Sequence, residues 1–211
     1  MNTRTKTAGF FAAVAAGALI VAGCSDSDDG AGHSMDSMGS MSMTTSAPPA
    51  ESSSDRNAAD VMWTQMMIPH HQQAVEMAAL AQGRTENAEL LELASRIQAA
   101  QDPEIELMTS WLTAWGEPTM TNEGMDHSSM GDMGDMSGMM SADDMATLEN
   151  AIGAEFDRAW LEMMIAHHQG AIDSSRAIQA NGTNEQVDEL AGKIVAGQQA
   201  EIEQMKAMLG Q

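Results

Sequence analysis

Two His-His pairs stand in this chain, His70-His71 and His167-His168, and each follows a Met-Met pair, Met66-Met67 and Met163-Met164. On a helix, residues four apart share a face, so each thioether sits beside an imidazole. Thioether sulfur is a soft donor and imidazole a borderline one. With no thiolate in the set, they suit copper best, sulfur favouring Cu(I) and nitrogen Cu(II). Zinc could use the histidines but would gain little from methionine. The bland alternative is that the methionines fill a core and the histidines are ordinary packed residues.

A second donor population lies in the polar stretches. The chain holds 22 methionines in 211 residues. Met35, Met38, Met41 and Met43 sit near His33. Met120, Met125, Met130, Met133, Met136, Met139, Met140 and Met145 lie in or beside a central segment containing His127. From Glu123 to Asp144 there is no Leu, Ile, Val or aromatic residue to pack against. Closely spaced sulfurs on a flexible chain can wrap a soft ion, and Asp36, Asp132 and Asp135 attract cations. Reversible oxidation to the sulfoxide offers a rival role, a methionine oxidant sink.

The elements that must position these donors are helices. Val, Ile and Thr never alternate over a useful run, so no strand is predicted. Asp60 through Leu112 aligns without a gap on Asp157 through Leu209, a shift of 97 positions. Trp63 matches Trp160, Met66 through Gln72 matches Met163 through Gln169 except for Pro69 against Ala166, and Glu104-Ile105-Glu106 matches Glu201-Ile202-Glu203. This is an internal repeat. Each copy reads as a helical hairpin, so the fold class is all-α, a four-helix bundle of two duplicated hairpins. Repeat 1 spans 56–115, a Met-rich linker 116–141, and repeat 2 142–211, within one domain, 55–211.

The first helix should run from about Arg56 to Gln82 and the second from about Glu86 to Trp115. In repeat 2 a capping box at Ser141 and Asp144 opens a helix that breaks at Asn181-Gly182, with Thr183 and Gln186 as a second box. Pro69 and Pro103 fall inside helices and should kink them. The linker can span the bundle's length, so either up-down-up-down order or one long crossover is open. Trp63, Met67, His70, Ala74, Met77 and Ala81 form an inward stripe, matched by Trp160, Met164, His167, Ala171, Ser174 and Ile178. His70 and His167 therefore point inward, with His71 and His168 about 100° round, beside or outside the stripe. Glu76 and Asp173 are candidate partners for orienting histidine.

Charge and the N-terminus narrow the class. The formal net charge is −22, which excludes a nucleic-acid binder. Residues 1–23 read as a signal peptide, with Arg4 and Lys6 ahead of an apolar run from Ala8 to Ile20. Val21-Ala22-Gly23-Cys24 looks like a bacterial lipobox, which would place the lone cysteine at the lipid-attachment position. Residues 24–54 follow as a disordered Met/Ser/Asp-rich tether. The chain is then exported and held to the outer face of the cytoplasmic membrane or the cell envelope by lipid. A copper transporter or oxidase is the partner such a protein would serve. No Glu-x-x-His pair, nucleophile–base motif, Gly-rich phosphate loop or haem-attachment motif is present, so no catalysis is expected.

The doubled Met-Ile-x-His-His, with Ala74 or Ala171 behind it and a later Glu-Ile-x-x-Met, resembles the family called domain of unknown function 305. The resemblance covers about Asp60 to Leu209. It implies a ferritin-like four-helix bundle, export, often as a lipoprotein, and in some members copper binding linked to copper tolerance. The ligand positions it implies are His70, His71, His167 and His168 with Met66, Met67, Met163 and Met164. Ala166, where the family commonly has proline, and Ser174, where repeat 1 has Met77, depart from the pattern.

Overall fold

The computed structural model describes residues 55–120 and 138–211. Among these residues there are five helices and no strand: α1 (Ala58–Leu80), α2 (Ala88–Trp115), α3 (Ala142–Asn150), α4 (Gly153–Asn181) and α5 (Glu185–Met208). The chain is all-α, as the periodicity predicts. Pro69 and Pro103 lie inside α1 and α2, which continue through them. The signal segment, Cys24 and the 24–54 tether fall outside the described residues.

Local chemistry sets the helix ends. Asn57 caps α1, its side chain accepting from Ala59 N–H and Asp60 N–H, while Asp60 returns a bond to Asn57 N–H at 2.8 Å. Asn87 caps α2 by accepting from Leu90 N–H. Ser141 and Asp144 form the expected box at α3.

Two boundaries differ from the sequence reading. The helix opening at Ser141 does not run through to Asn181 but breaks at Ala151-Ile152. There the α1–α2 turn supplies replacement bonds: Arg84 Nε donates to Glu149 O at 3.0 Å, and Gly153 N–H donates to Arg84 O at 2.7 Å. Gly153 takes φ +59°, which a glycine adopts without strain. At the start of α5 the cap is Asn184, not Thr183, because Thr183 is committed elsewhere. Thr183 N–H (3.0 Å) and Oγ1 (3.2 Å) both donate to the carboxylate of Asp60, as does Asn184 N–H (3.2 Å). Asp60 is fully buried and ties the start of α1 to the α4–α5 turn.

Packing divides the interior into two apolar clusters. One gathers the start of α1 (Trp63, Met67), the end of α2 (Met108, Leu112), the end of α4 (Ile178) and the start of α5 (Leu190, Ile194). The other gathers the end of α1 (Met77), the start of α2 (Leu90, Ile97), the start of α4 (Phe156, Trp160) and the end of α5 (Ile202, Met205). Each fully buried aliphatic or aromatic side chain stabilises the fold by about 1.5–3 kcal/mol. This sharing fixes directions. α1 is antiparallel to α2 and to α4, and α4 to α5, so α2 and α4 run the same way. The connection from Trp115 to Gly153 must therefore return along the molecule's length, which selects the long crossover over up-down-up-down order. α1 and α4 form the main contact between the hairpins. No helix among the described residues is long and apolar enough to cross a membrane.

Candidate metal centre

A polar layer separates the two clusters. Its members come from matched positions of the repeats: His70, His71 and Gln101 with Glu104 from the first hairpin, His167, His168 and Gln198 with Glu201 from the second. The inward stripe of α1 is buried at all six positions, and that of α4 at all but the half-buried Ser174. His70 and His167 meet where α1 crosses α4, ring over ring, with centroids 3.7 Å apart and planes inclined by 36°. His71 and His168 flank them at 6.5 and 6.3 Å from their chain neighbours.

His71 and His168 are not at the margin of the stripe as the helical wheel suggests; both are fully buried. The reason is on the partner helix of each hairpin. His71 Nε2–H donates to Glu104 Oε2 at 2.7 Å, and His168 Nε2–H donates to Glu201 Oε2 at 2.8 Å. An ionised carboxylate only accepts, so the ring hydrogen sits on Nε2. In the neutral ring Nδ1 then keeps its lone pair, and both Nδ1 atoms are buried with no hydrogen-bond partner. A carboxylate on one ring nitrogen and an open lone pair on the other is how proteins orient a ligating histidine. Glu76 and Asp173, the candidate partners from sequence, are exposed; Asp173 accepts instead from Gln169 Nε2. The signal for Glu104 and Glu201 was present in the repeated Glu-Ile-x-x-Met, which places matching acids opposite both His-His pairs.

Burial and neighbouring imidazoles oppose protonation of His167. The His167 imidazole is held well below its usual value, first by burial and then by His70, His168 and His71, with the backbone of His70 opposing. A neutral imidazole is the form that binds metal.

The donor types fit copper, but they do not form a closed chelate. Among the described residues no three His, Cys, Asp or Glu side chains are grouped so as to hold a metal ion. His70 and His167 stack, and an ion entering between them would have to turn the rings.

The methionines divide by position. Met67 and Met164 are fully buried in opposite clusters, one on each side of the layer. Met67 belongs to the cluster of Trp63 and Met108, and Met164 to that of Trp160 and Met205. Met163 is half-buried against the second cluster. Met66 lines a surface groove with Met62 and Met120. In the linker, Met125, His127, Met130, Met133 and Met136 lie outside the described residues. Met139 is half-buried, and Met145 falls inside α3. Met140 and Met145 pack against the second cluster, so packing does account for these two.

The linker's end is docked at the level of the histidines. Met140 N–H donates to Gln73 Oε1 at 2.7 Å, and Gln73 Nε2 returns a bond to Met140 O at 2.9 Å. Gly138, at φ +93°, presses on α4: a Cβ there would lie 2.5 Å from Ala166 O and 3.1 Å from His167 Cα.

Known proteins share the fold. The model of the family described as "Domain of unknown function (DUF305)" matches residues 60–209. A putative secreted DUF305 protein from Streptomyces coelicolor is similar at 30% identity and TM-score 0.64, over 72% of this chain and 92% of that one. A DUF305 fragment from Deinococcus radiodurans is similar at 31% identity and TM-score 0.64, over 73% and 97%. CopM in its Cu(II)-bound form is similar at 33% identity and TM-score 0.60, over 71% and 94%; CopM is also known in Cu(I)-bound and Ag-bound forms. No curated protein matches the chain. The repeat, the doubled His-His layer and these matches agree on one assignment: the chain belongs to the DUF305 family.

Proposed function

We propose that this protein binds copper outside the cytoplasm and buffers it or hands it on, without catalysing a reaction. The observation that carries the reading is the duplicated imidazole layer. Four histidines lie buried between two apolar cores, two of them oriented by carboxylates with Nδ1 left open. Burying the Nδ1 atoms of His71 and His168 without partners costs stability, about 1–3 kcal/mol for each unsatisfied group. A core that needed only packing would fill the layer with aliphatic side chains. The similarity to CopM, which takes up Cu(I), Cu(II) and silver, supports copper as the metal. Similarity to a putative secreted protein supports the compartment. A lipid on Cys24 would keep the protein at the membrane surface, near a copper transporter or oxidase. The linker methionines would act as weaker collectors of the same ion.

The test is a titration of residues 25–211 with Cu(II), and with Cu(I) under reducing conditions, against competing chelators. A His70→Leu/His167→Leu variant should bind Cu(II) at least tenfold more weakly while unfolding at equal or higher denaturant, since apolar replacement relieves the buried polar pair. Unchanged Cu(II) affinity in that variant would overturn the reading.

A further inference from the structure

We infer that Met62, Met66 and Met120 form a three-thioether site for a monovalent soft cation of the Cu(I) type, separate from the histidine layer. The inference deepens the copper reading and rests on it. Met62 and Met66 stand one turn apart on α1 and line one groove. Neither belongs to the two apolar clusters, so core packing does not explain them. The third sulfur comes from another element, the stretch after α2, and several contacts bring it there.

Gly116, at φ +73°, reverses the chain at the end of α2, and Glu117 N–H donates to Leu112 O at 2.9 Å. Arg56 donates to Trp115 O at 3.0 Å and pairs with the Glu117 carboxylate at 3.9 Å. Gln65, on the same face of α1, donates from Nε2 to Pro118 O at 2.8 Å. The outcome is that Met120 joins Met62 and Met66 on the groove wall, with Glu117 at its border.

The chemistry is selective. Three neutral thioethers suit a soft, weakly hydrated monovalent ion, whereas hard cations keep their oxygen shells. Half-exposed sulfurs on a surface groove also permit the ligand exchange that transfer requires. Met66 lies one turn before His70, about 6 Å along the helix axis, so an ion here is close to the layer without being part of it. The groove is not duplicated. Met62 and Gln65 correspond to Ala159 and Glu162 in the second hairpin, so one such site is expected for each chain.

Ag(I), a redox-inert stand-in for Cu(I), is the probe. The chain 25–211 with carbon-13 in its methionine methyl groups is titrated and followed by NMR. One silver equivalent should move the Met62, Met66 and Met120 methyl resonances together. A Met62→Leu/Met66→Leu/Met120→Leu variant keeps side-chain volume and removes the sulfurs. It should lose that event, with silver binding at least tenfold weaker there. The inference is overturned if the three resonances do not move together, or if the variant retains the parent's silver stoichiometry. Silver bound here in a chain with no Cu(II) affinity would sink the histidine reading alone. Cu(II) bound with these methyls unmoved would sink the groove alone.

Discussion

The two hairpins share an interior and differ on their outer faces. Inside, each contributes the same set: a buried His-His pair, a half-buried glutamate on the paired helix and a buried glutamine one turn before it. Outside, α1 carries Met62, Gln65 and Gln73, where α4 has Ala159, Glu162 and Gly170. Gln65 and Gln73 are the residues that hold the two ends of the linker, at Pro118 and Met140. One chain can dock only one linker of this kind, so only one hairpin needs the glutamines. The inner layer is thus a symmetric device, and the outer face of α1 a specialised one.

The largest break in that symmetry is expected from the clasps. Asp60 takes three bonds from the opposite hairpin's turn, while its equivalent Asp157 accepts from Asn87 Nδ2 at 3.1 Å. Asp60→Ala strands the buried Asn184 N–H and takes the acceptor from both Thr183 donors, and should cost about 3 kcal/mol in urea unfolding, against about 1 kcal/mol for Asp157→Ala. Equal losses would contradict the difference seen in bonding.

The layer should respond symmetrically. In Glu104→Gln the new amide can donate to the His71 ring and shift its hydrogen to Nδ1, closing the open lone pair. Copper affinity should fall about tenfold, and by the same factor in Glu201→Gln. A loss confined to one variant would show that the layer works through one hairpin only.

Acidity tests the layer's burial. His167 is held below the usual imidazole value of 6.5. The unfolded chain therefore takes up a proton that the folded chain refuses. Stability should be full above pH 6.5 and fall as the pH drops below it, by up to about 1.4 kcal/mol per pH unit, until the lowered folded value is reached. The His167→Leu chain should show a flatter profile when unfolding is compared between pH 7.5 and 5. The smallest effect belongs to the linker. Gln73→Ala removes both bonds to Met140 and should cost about 1 kcal/mol, with amide exchange at Met140 speeding up and that at α5 unchanged.

Much of this was legible in the sequence. The 97-residue shift gave away the hairpins, and the 4-3-4-3 spacing placed His70 and His167 inward without any knowledge of their contact. What escaped was tertiary in origin. The helix through Ala151 is interrupted because Arg84, from a distant turn, bonds to Glu149 and Gly153. Thr183 fails to cap α5 because its hydroxyl is held on Asp60, and Asn184 accepts from Gln186 N–H and Val187 N–H instead. Glu104 lies 33 positions from His71, and nothing in a helical wheel relates residues on different helices. Met67 and Met164 read equally well as ligands or as core, since a thioether serves either purpose; their placement in opposite clusters depends on how the two hairpins pack.

The stack of His70 on His167 places a residue against its own counterpart. Contacts of that kind are isologous, the type by which identical subunits join around a two-fold axis. In this molecule the two subunits are the halves of one chain. A shorter chain with a single hairpin of this design would lack half of every pair in the layer, and would have to form a homodimer to complete it. The covalent link removes that dependence on concentration.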